Sequence, residues 1–253
     1  MIHEQQKIQI RLLGPLGVRR LDGSWVAVEE WRTGKTADLL RILALNGGRP
    51  VRPADLIGRL WPDASTDHAR GSLRTASSQI RRVVRTDCVV RRLDGLVLQD
   101  AWVDTFYFLQ AARRAAVAAR GGHHLRVLAT AQAAEHLYVD DFHAHDDDSD
   151  WAVSEREHLR RARHEMLCDA ATAAFELHRY RECLDLATTA IEVERSSETA
   201  HRLVMRAHEA LGDVGSALRA FETCRDHLAR ELGADPSPQT QELHLRLLRG
   251  DSA

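Results

Sequence analysis

Seven arginines lie close together between residues 70 and 92, and several of them alternate with serine or threonine. Arginine binds phosphate oxygens and the edge of guanine through paired hydrogen bonds, and small hydroxyl residues let a helix approach closely in a major groove. The same stretch contains a single carboxylate, Asp87. An ordinary solvated helix face would place Asp or Glu four residues from its cations. The pattern therefore favours a DNA-binding surface over a solvated basic face.

Gly34, Lys35 and Thr36 resemble the end of a nucleotide-binding P-loop. That motif needs another glycine five residues before Gly34, and Glu29 stands there instead. A carboxylate at that position would repel the phosphates that the loop must hold, so nucleotide hydrolysis is excluded. Lys35 lies near the predicted start of a helix, whose N-terminal amides attract anions, and we expect it to contact a DNA phosphate.

The densest group of candidate metal ligands is formed by His143, His145 and Asp146–Asp148. Its spacing matches no closed zinc site, so we expect a solvated acidic loop over residues 140–150, with no metal and no cofactor. No Ser-His-Asp or Cys-His combination lies in a recognisable motif, which argues against an enzyme. The four cysteines are widely spaced and predict buried free thiols in a reduced, intracellular protein.

The elements that must position the arginines follow from local patterns in residues 1–102. Residues 8–30 alternate short β-rich runs with turn residues, which predicts a small antiparallel sheet. Helical patterns follow at residues 33–48, 53–61 and 67–85, and residues 88–99 form two β-rich runs around an Asp-Gly turn. Strands, three helices and a hairpin in this order predict a winged helix-turn-helix.

The third of these helices is amphipathic. Six apolar residues gather on one face of a helical wheel: Ala69, Leu73, Ala76, Ile80, Val83 and Val84. Arg74, Thr75, Ser78, Arg82 and Arg85 lie opposite them, with Arg70 and Arg81 on the flank. Arg91 and Arg92 precede the hairpin turn, where a wing would reach the adjacent minor groove or the backbone. The predicted DNA-binding residues are Arg70, Arg74, Thr75, Ser78, Arg81, Arg82, Arg91, Arg92 and Lys35.

From Val103 onward the pattern is helical almost throughout. Helices are predicted at residues 103–120, 124–138, 151–178, 180–194, 197–211, 214–232 and 237–249. An offset of 34 residues maps Leu177 onto Leu211 and Cys183 onto Ala217, and this period indicates paired tetratricopeptide-like helices. The predicted fold is mainly α with a small β component: a winged helix-turn-helix domain over residues 1–102, then an all-α tetratricopeptide-like domain over residues 103–253.

The charge is divided between these two parts of the chain. Residues 1–100 hold 17 Lys and Arg against 11 Asp and Glu, whereas residues 101–253 hold 18 against 26. The net charge of −2 therefore hides a basic part and an acidic part, which is typical of a nucleic-acid-binding module joined to another domain. The sequence has no membrane-spanning apolar run and no N-terminal export signal, so we expect a cytoplasmic protein at the bacterial nucleoid.

Three runs are more specific than these patterns: LIGRLWPD at residues 56–63, LRTASSQIRR at 73–82 and ELGADPSPQT at 231–240. VDTFYFLQAARRA at 103–115 is a further motif. With them, residues 8–248 resemble the Streptomyces antibiotic regulatory protein family. The resemblance implies an OmpR-like winged helix joined to a bacterial transcriptional activator domain. It also implies binding to direct DNA repeats as two or more copies, recruitment of RNA polymerase, and control of a secondary-metabolite gene cluster.

The sequence departs from this family at residues 140–150, which are longer and more charged than its pattern. We expect no ATPase or sensor region of the larger relatives. The predicted function is a sequence-specific transcriptional activator, with double-stranded DNA, RNA polymerase holoenzyme and further copies of itself as partners and no membrane. The alternative is a protein-interaction adaptor, whose helical repeats bind a peptide and whose basic domain is only a docking surface.

Overall fold

The structure is a computed structural model that describes residues 7–93 and 95–250. The chain divides into two compact units. The first unit holds the chain through Phe108 together with His136–Leu159, and the second holds Leu109–Glu135 and the chain from Arg160 onward. Each unit combines two separate segments of the chain, whereas the predicted domain boundary after residue 102 divides the sequence once. That boundary stays a prediction.

The described residues form five strands and ten α-helices, which confirms the predicted mainly α fold with a small β component. The strands are β1 (Ile8–Arg11), β2 (Gly17–Arg19), β3 (Val89–Arg92), β4 (Gly95–Leu98) and β5 (Ala101–Val103). The helices are α1 (Gly34–Leu45), α2 (Pro53–Leu60), α3 (Thr66–Val83), α4 (Asp104–Arg120), α5 (His124–Glu135), α6 (Asp150–Glu176), α7 (Tyr180–Val193), α8 (Glu198–Ala210), α9 (Val214–Leu232) and α10 (Pro238–Arg249).

A three-stranded sheet in the order β2-β1-β5 begins the first unit. Strand β1 pairs antiparallel with β2, where Ile10 lies opposite Val18. It also pairs parallel with β5, where Ile8 lies opposite Ala101. The prediction of an antiparallel sheet contained within residues 8–30 is therefore wrong, because the third strand comes from beyond the hairpin.

The run that was expected to supply the third strand folds differently. Trp25 makes only an isolated bridge with Arg19. A short 3-10 helix, Val28–Glu30, follows it. The Glu30 carboxylate accepts the Ala27 amide at 2.9 Å and so closes a turn where a strand would have continued.

Three helices form the core of the first unit. Helix α1 begins after Thr33, whose hydroxyl accepts the Thr36 amide, and it ends before Gly47 and Gly48, which have positive φ values of 57° and 79°. Helix α2 begins at Pro53, as the sequence predicted. The largest buried side chains of α1, α2 and α3 include Leu39, Leu40, Ile42, Leu43, Leu56, Leu60 and Ile80.

Strands β3 and β4 form the predicted hairpin, with Val89 opposite Leu98. Gly95 lets β4 pass close to the segment before α2, since a Cβ atom there would lie 2.8 Å from the Cβ atom of Pro50. Asp94, which belongs to the predicted turn, lies outside the described residues. Three helices followed by this hairpin confirm the winged helix-turn-helix.

A buried carboxylate joins the N-terminal sheet to the start of α4. Asp104 accepts the amides of Leu12 at 2.8 Å, Leu13 at 3.0 Å and Thr105 at 2.7 Å. Burial raises the pKa of Asp104, and these three hydrogen bonds partly oppose that shift. The carboxylate therefore fixes the end of β1 against the first turn of α4.

Helix pairs build the second unit. Gly122, His178 and Gly212 hold φ values of 68°, 57° and 78° in the turns of the pairs α4–α5, α6–α7 and α8–α9. In each turn the following amide donates to the carbonyl five residues before it, at 2.9 Å. Since the last two turns are 34 residues apart, the structure confirms the tetratricopeptide-like period, and α10 follows the last pair.

Residues 140–150 form the expected loop up to the start of α6 and most of them are exposed, but the loop is anchored at several points. Phe142 is fully buried, and Asp147 forms an ion pair with Arg156. The buried Asp38 carboxylate of α1 accepts the His145 amide at 2.8 Å. The loop is fixed in this way because it supplies the polar partners that a buried carboxylate needs.

All four cysteines are free and buried. Burial raises the pKa of Cys168 to about 12 and that of Cys183 to about 11, so these thiols stay protonated at neutral pH. Among the described residues, no helix combines the length and the apolar character that crossing a membrane requires.

Candidate nucleic-acid interface

Helix α3 has the two faces that the sequence predicted. All six apolar residues assigned to the inner face are buried, and Ala69 and Ile80 are fully inaccessible. Two polar residues, Ser77 and Gln79, are buried with them. Gln79 accepts a hydrogen bond from the Thr36 hydroxyl at 3.1 Å and donates to the Glu30 carbonyl at 3.2 Å. These bonds fix the orientation of α3, and the apolar pattern alone gave no signal of them.

Five of the predicted DNA-binding residues are exposed together on α3: Arg70, Arg74, Thr75, Ser78 and Arg82. Arg70 lies 3.9 Å from Asp67, and both side chains are largely solvated. Neither Arg74 nor Arg82 pairs with a carboxylate among the residues that the structure describes. Their guanidinium donors therefore remain available to phosphate oxygens or base edges.

Two other arginines of this region are engaged within the protein. Arg81 donates from Nε to the Val89 carbonyl at 2.7 Å, which attaches the hairpin to α3. Arg85 was expected on the exposed face, but it is largely buried between Asp87, at 2.6 Å, and Asp100, at 3.1 Å. These ion pairs occupy donors that the helical wheel assigned to solvent, because the two carboxylates come from the segments that flank the hairpin.

The hairpin presents both predicted arginines to solvent. Arg91 and Arg92 are exposed on β3, and Arg92 donates to the Gln99 side chain at 3.1 Å. Leu93 follows them at the tip with a φ of 53° and is 90% exposed. An apolar side chain at such a tip can lie against sugars of a groove edge while the arginines contact phosphates.

The start of α1 differs from the phosphate site expected there. The Lys35 ammonium donates to the Leu60 carbonyl at the end of α2. The ring of His145 covers Gly34 so closely that a Cβ atom at Gly34 would lie 1.9 Å from it. Both the ammonium and the first turn of α1 therefore have partners within the first unit, and contact of Lys35 with DNA stays a prediction.

A groove of about 660 Å³ borders the exposed face of α3, and the sequence reasoning missed it. Its lining includes Arg32, Thr33, His68, Ser72 and Thr75. Arg32 precedes α1 and was not recognised, because an isolated arginine before a helix gives no pattern. Together with Thr33 it extends the polar and basic surface from α3 towards the start of α1.

Nothing in the described part of the chain suggests a metal centre. No group of three or more His, Cys, Asp or Glu side chains has a metal-binding arrangement among residues 7–93 and 95–250. The histidines and aspartates of the 140–150 loop bond to one another, as in the 3.1 Å contact of His143 with Asp147. The candidate site is therefore the exposed basic face formed by α3 and the hairpin.

Residues 103–248 match the family model of the bacterial transcriptional activator domain. Over 237 residues the chain is 26% identical to the regulatory protein AfsR of Streptomyces coelicolor, a match that covers 89% of this chain and 24% of AfsR. The transcriptional regulator RedD of the same organism is 28% identical over 91 residues, which is 36% of this chain and 25% of RedD. The matched part is thus about a quarter of each of these curated relatives.

One solved structure matches nearly the whole chain. The structure of Mycobacterium tuberculosis EmbR in complex with a low affinity phosphopeptide covers 98% of this chain, and the match covers 66% of EmbR. The TM-score is 0.81 and the sequence identity is 22%. This similarity shows the fold.

Proposed function

The chain belongs to the bacterial transcriptional activator domain family, as its resemblance to the Streptomyces antibiotic regulatory proteins predicted, and from this membership we propose that it is a sequence-specific, DNA-binding transcriptional activator. The relatives AfsR and RedD are a regulatory protein and a transcriptional regulator. Since the chain matches about a quarter of their length, the proposal also needs support from its own surface.

The observation that carries the proposal is the exposed face of α3. Arg74 and Arg82 face solvent without a carboxylate partner among the described residues, next to the exposed hydroxyls of Thr75 and Ser78. The opposite face of the helix is fully used by the core. A helix held in this way can enter a major groove without losing its own packing.

The DNA contacts are of two kinds, to phosphates and to base edges. Arg70, Arg91 and Arg92 neutralise phosphates, which supplies affinity that falls as the salt concentration rises. Arg74, Thr75, Ser78 and Arg82 read base edges in the major groove, where a paired arginine–guanine contact discriminates most strongly. Arg81 holds the hairpin in place for this, and Arg32 adds a cation at the edge of the same surface.

One winged helix reads too few base pairs to select a promoter, so two or more copies bind direct repeats about one helical turn apart. The helical repeats of the acidic part contact RNA polymerase holoenzyme or a neighbouring copy. The regulated genes are those of a secondary-metabolite cluster on the bacterial nucleoid. The proposal includes no catalytic step.

Selection of bound sequences from a random duplex library tests the proposal with the full chain. We expect an enriched motif that occurs twice in one orientation, at a spacing of about 10 to 11 base pairs. Binding to this site should weaken with salt, with a slope of log affinity against log salt of about −4 per copy. Transcription from a promoter that carries the site should be higher with RNA polymerase holoenzyme and the chain together than with holoenzyme alone.

Arg230→Gln is the matched control, because Arg230 is exposed on α9 in the acidic part of the chain. This variant should retain the site and the salt slope. A wild-type chain that enriches no motif and shows no salt slope would contradict the proposal and favour the protein-interaction adaptor.

A further inference from the structure

A groove of about 510 Å³ lies within the second unit, and the proposed DNA contacts do not use it. Its walls come mainly from α8 and α10, and Thr172 of α6 lies at one side. Three arginines line it: Arg202, Arg206 and Arg246. The volume is within the range of about 300 to 1,000 Å³ that ligand sites occupy.

Arg206 is held in place without using its hydrogen-bond donors. Its guanidinium carbon lies 4.1 Å from the centre of the Phe175 ring, so the cation stacks on the aromatic face. Among the residues that the structure describes, no hydrogen-bond acceptor engages this guanidinium. Stacking fixes the plane of the group, so it can bind a carboxylate with little further loss of side-chain entropy.

Arg202 is fixed along one edge. It donates to the Thr240 hydroxyl at 3.0 Å and to the Thr199 hydroxyl at 3.2 Å. The nearest carboxylate, on Glu198, lies 3.9 Å away. A guanidinium has five N–H donors, so two bonds to hydroxyls leave most of its donors for a ligand.

Arg246 stands on the α10 side and donates to Glu209 at 2.6 Å. Its Nε atom is buried and has no hydrogen-bond partner among the described residues. An unsatisfied buried donor is costly, and an anion drawn into the groove would relieve that cost by shifting the guanidinium slightly.

The lining of the groove holds more cations than carboxylates, although Glu209 pairs with Arg246 at 2.6 Å and Glu198 lies 3.9 Å from Arg202. Residues 101–253 carry 26 acidic against 18 basic residues, yet three arginines and only one carboxylate, Glu242, line the groove. Leu203 and Leu243 lie at its base and are nearly buried. Separated cations above an apolar base fit a chain that carries several carboxylates and apolar groups between them better than a single small ion.

We propose that this groove binds an acidic peptide segment of a partner protein, with the three guanidinium groups holding its carboxylates. A DNA backbone presents phosphates without apolar groups to lie against Leu203 and Leu243, so an acidic peptide fits the groove better than a duplex does. The inference concerns a site separate from α3 and does not depend on the proposed DNA binding.

Fluorescence anisotropy of the full chain with a dye-labelled octaglutamate tests the inference, with octaglutamine as the uncharged counterpart. We expect saturable binding of octaglutamate only. Arg202→Gln, Arg206→Gln and Arg246→Gln should each weaken it about tenfold, the effect typical of losing a hydrogen bond to a charged group. Arg206→Lys should recover part of the affinity, and Glu242→Gln should strengthen binding about threefold by removing a repulsive charge.

Arg230→Gln is again the control, since it removes one positive charge from the same unit outside the groove. Equal binding by this control and the three groove variants would overturn the inference. So would stronger displacement of the peptide by inorganic phosphate or duplex DNA than by unlabelled octaglutamate, or weaker binding by Glu242→Gln. The groove variants should bind the selected DNA site with wild-type affinity. This measurement distinguishes a failure of the groove proposal from a failure of the DNA-binding proposal.

Discussion

Arg74 on α3 and Arg163 on α6 carry the same charge in opposite surroundings. Arg74 is exposed and pairs with no carboxylate among the described residues. Arg163 is about four-fifths buried and makes a two-pronged ion pair with Glu135, with contacts of 2.7 Å and 3.0 Å. Arg163 thus joins α6 to α5 within the second unit, whereas Arg74 stabilises nothing that the structure shows.

The difference teaches that the partner of an arginine, rather than the number of arginines, decides its role. A guanidinium whose donors are largely used within the protein, like that of Arg163, contributes to folding and offers little to a ligand. One that is exposed, or stacked like Arg206, keeps its donors for a ligand. The same residue type is therefore exposed and without a carboxylate partner at Arg74 of α3 and paired within the protein at Arg163, with the groove arginines between these cases.

Arg74→Ala tests the comparison between exposed Arg74 and paired Arg163 through the largest expected effect. We expect affinity for the selected DNA site to fall about tenfold to hundredfold, because a paired contact to a base is lost, while thermal unfolding stays unchanged. A gel-shift titration and a melting curve measure the two effects. Arg230→Ala serves as the control, and wild-type affinity in both Arg74→Ala and Arg82→Ala would remove the assignment of α3.

Arg163→Ala should show the reverse pattern. Leaving the largely buried Glu135 unpaired should lower the free energy of unfolding by about 2 kcal/mol, with no change in DNA affinity of the folded protein. All five tryptophans lie in the first unit: Trp25, Trp31, Trp61, Trp102 and Trp151. Far-UV circular dichroism should therefore report an earlier transition than tryptophan fluorescence does. Coincident wild-type-like transitions would contradict the structural role.

Local pattern was enough to predict the helices and the buried face of α3. The hydrophobic period specified all six inner residues of that helix, and glycines marked the turns within the pairs α4–α5 and α8–α9. These features depend on neighbours within one or two turns of the chain. The 34-residue period spans a longer distance, but it repeats the same local pattern and so appears both in the sequence and in the turns at His178 and Gly212.

Partners distant in the sequence were beyond such reasoning. Strand β5 replaces the expected third strand because Ile8 pairs with Ala101, far along the chain. Lys35 and Arg85 carry the right charge for DNA, but the Leu60 carbonyl and the Asp100 carboxylate engage them. Whether a cation is available depends on tertiary contacts, which neither charge counts nor a helical wheel contain.

Arg91→Ala should have a smaller effect than Arg74→Ala. A phosphate contact from the hairpin carries no sequence information, so affinity should fall about threefold on specific and random DNA alike. The salt slope should decrease by about one. Binding isotherms at several salt concentrations measure both quantities. A loss confined to the specific site would assign Arg91 to base recognition instead.

The smallest expected effect concerns how stability depends on pH. It depends on His201, a buried histidine of the second unit. Burial lowers the pKa of His201 below its ordinary value of 6.5, and the nearby His227 lowers it further. The Arg195 carbonyl, which accepts from His201 at 3.0 Å, and Glu198 partly oppose the shift. Between the lowered pKa and 6.5 the unfolded chain binds more protons than the native one, so stability rises with pH across this window and levels off above it.

His201→Gln should flatten this rise, whereas His123→Gln, at an exposed position, should leave it intact. The dependence should appear in the helical signal of far-UV circular dichroism more than in tryptophan fluorescence, because His201 lies in the second unit and the tryptophans lie in the first. Urea titrations at a series of pH values from about 5 to 8 give the required free energies. A rise of equal size in wild type and His201→Gln would show that another group carries the linkage. In that case burial of His201 would not distinguish the two units.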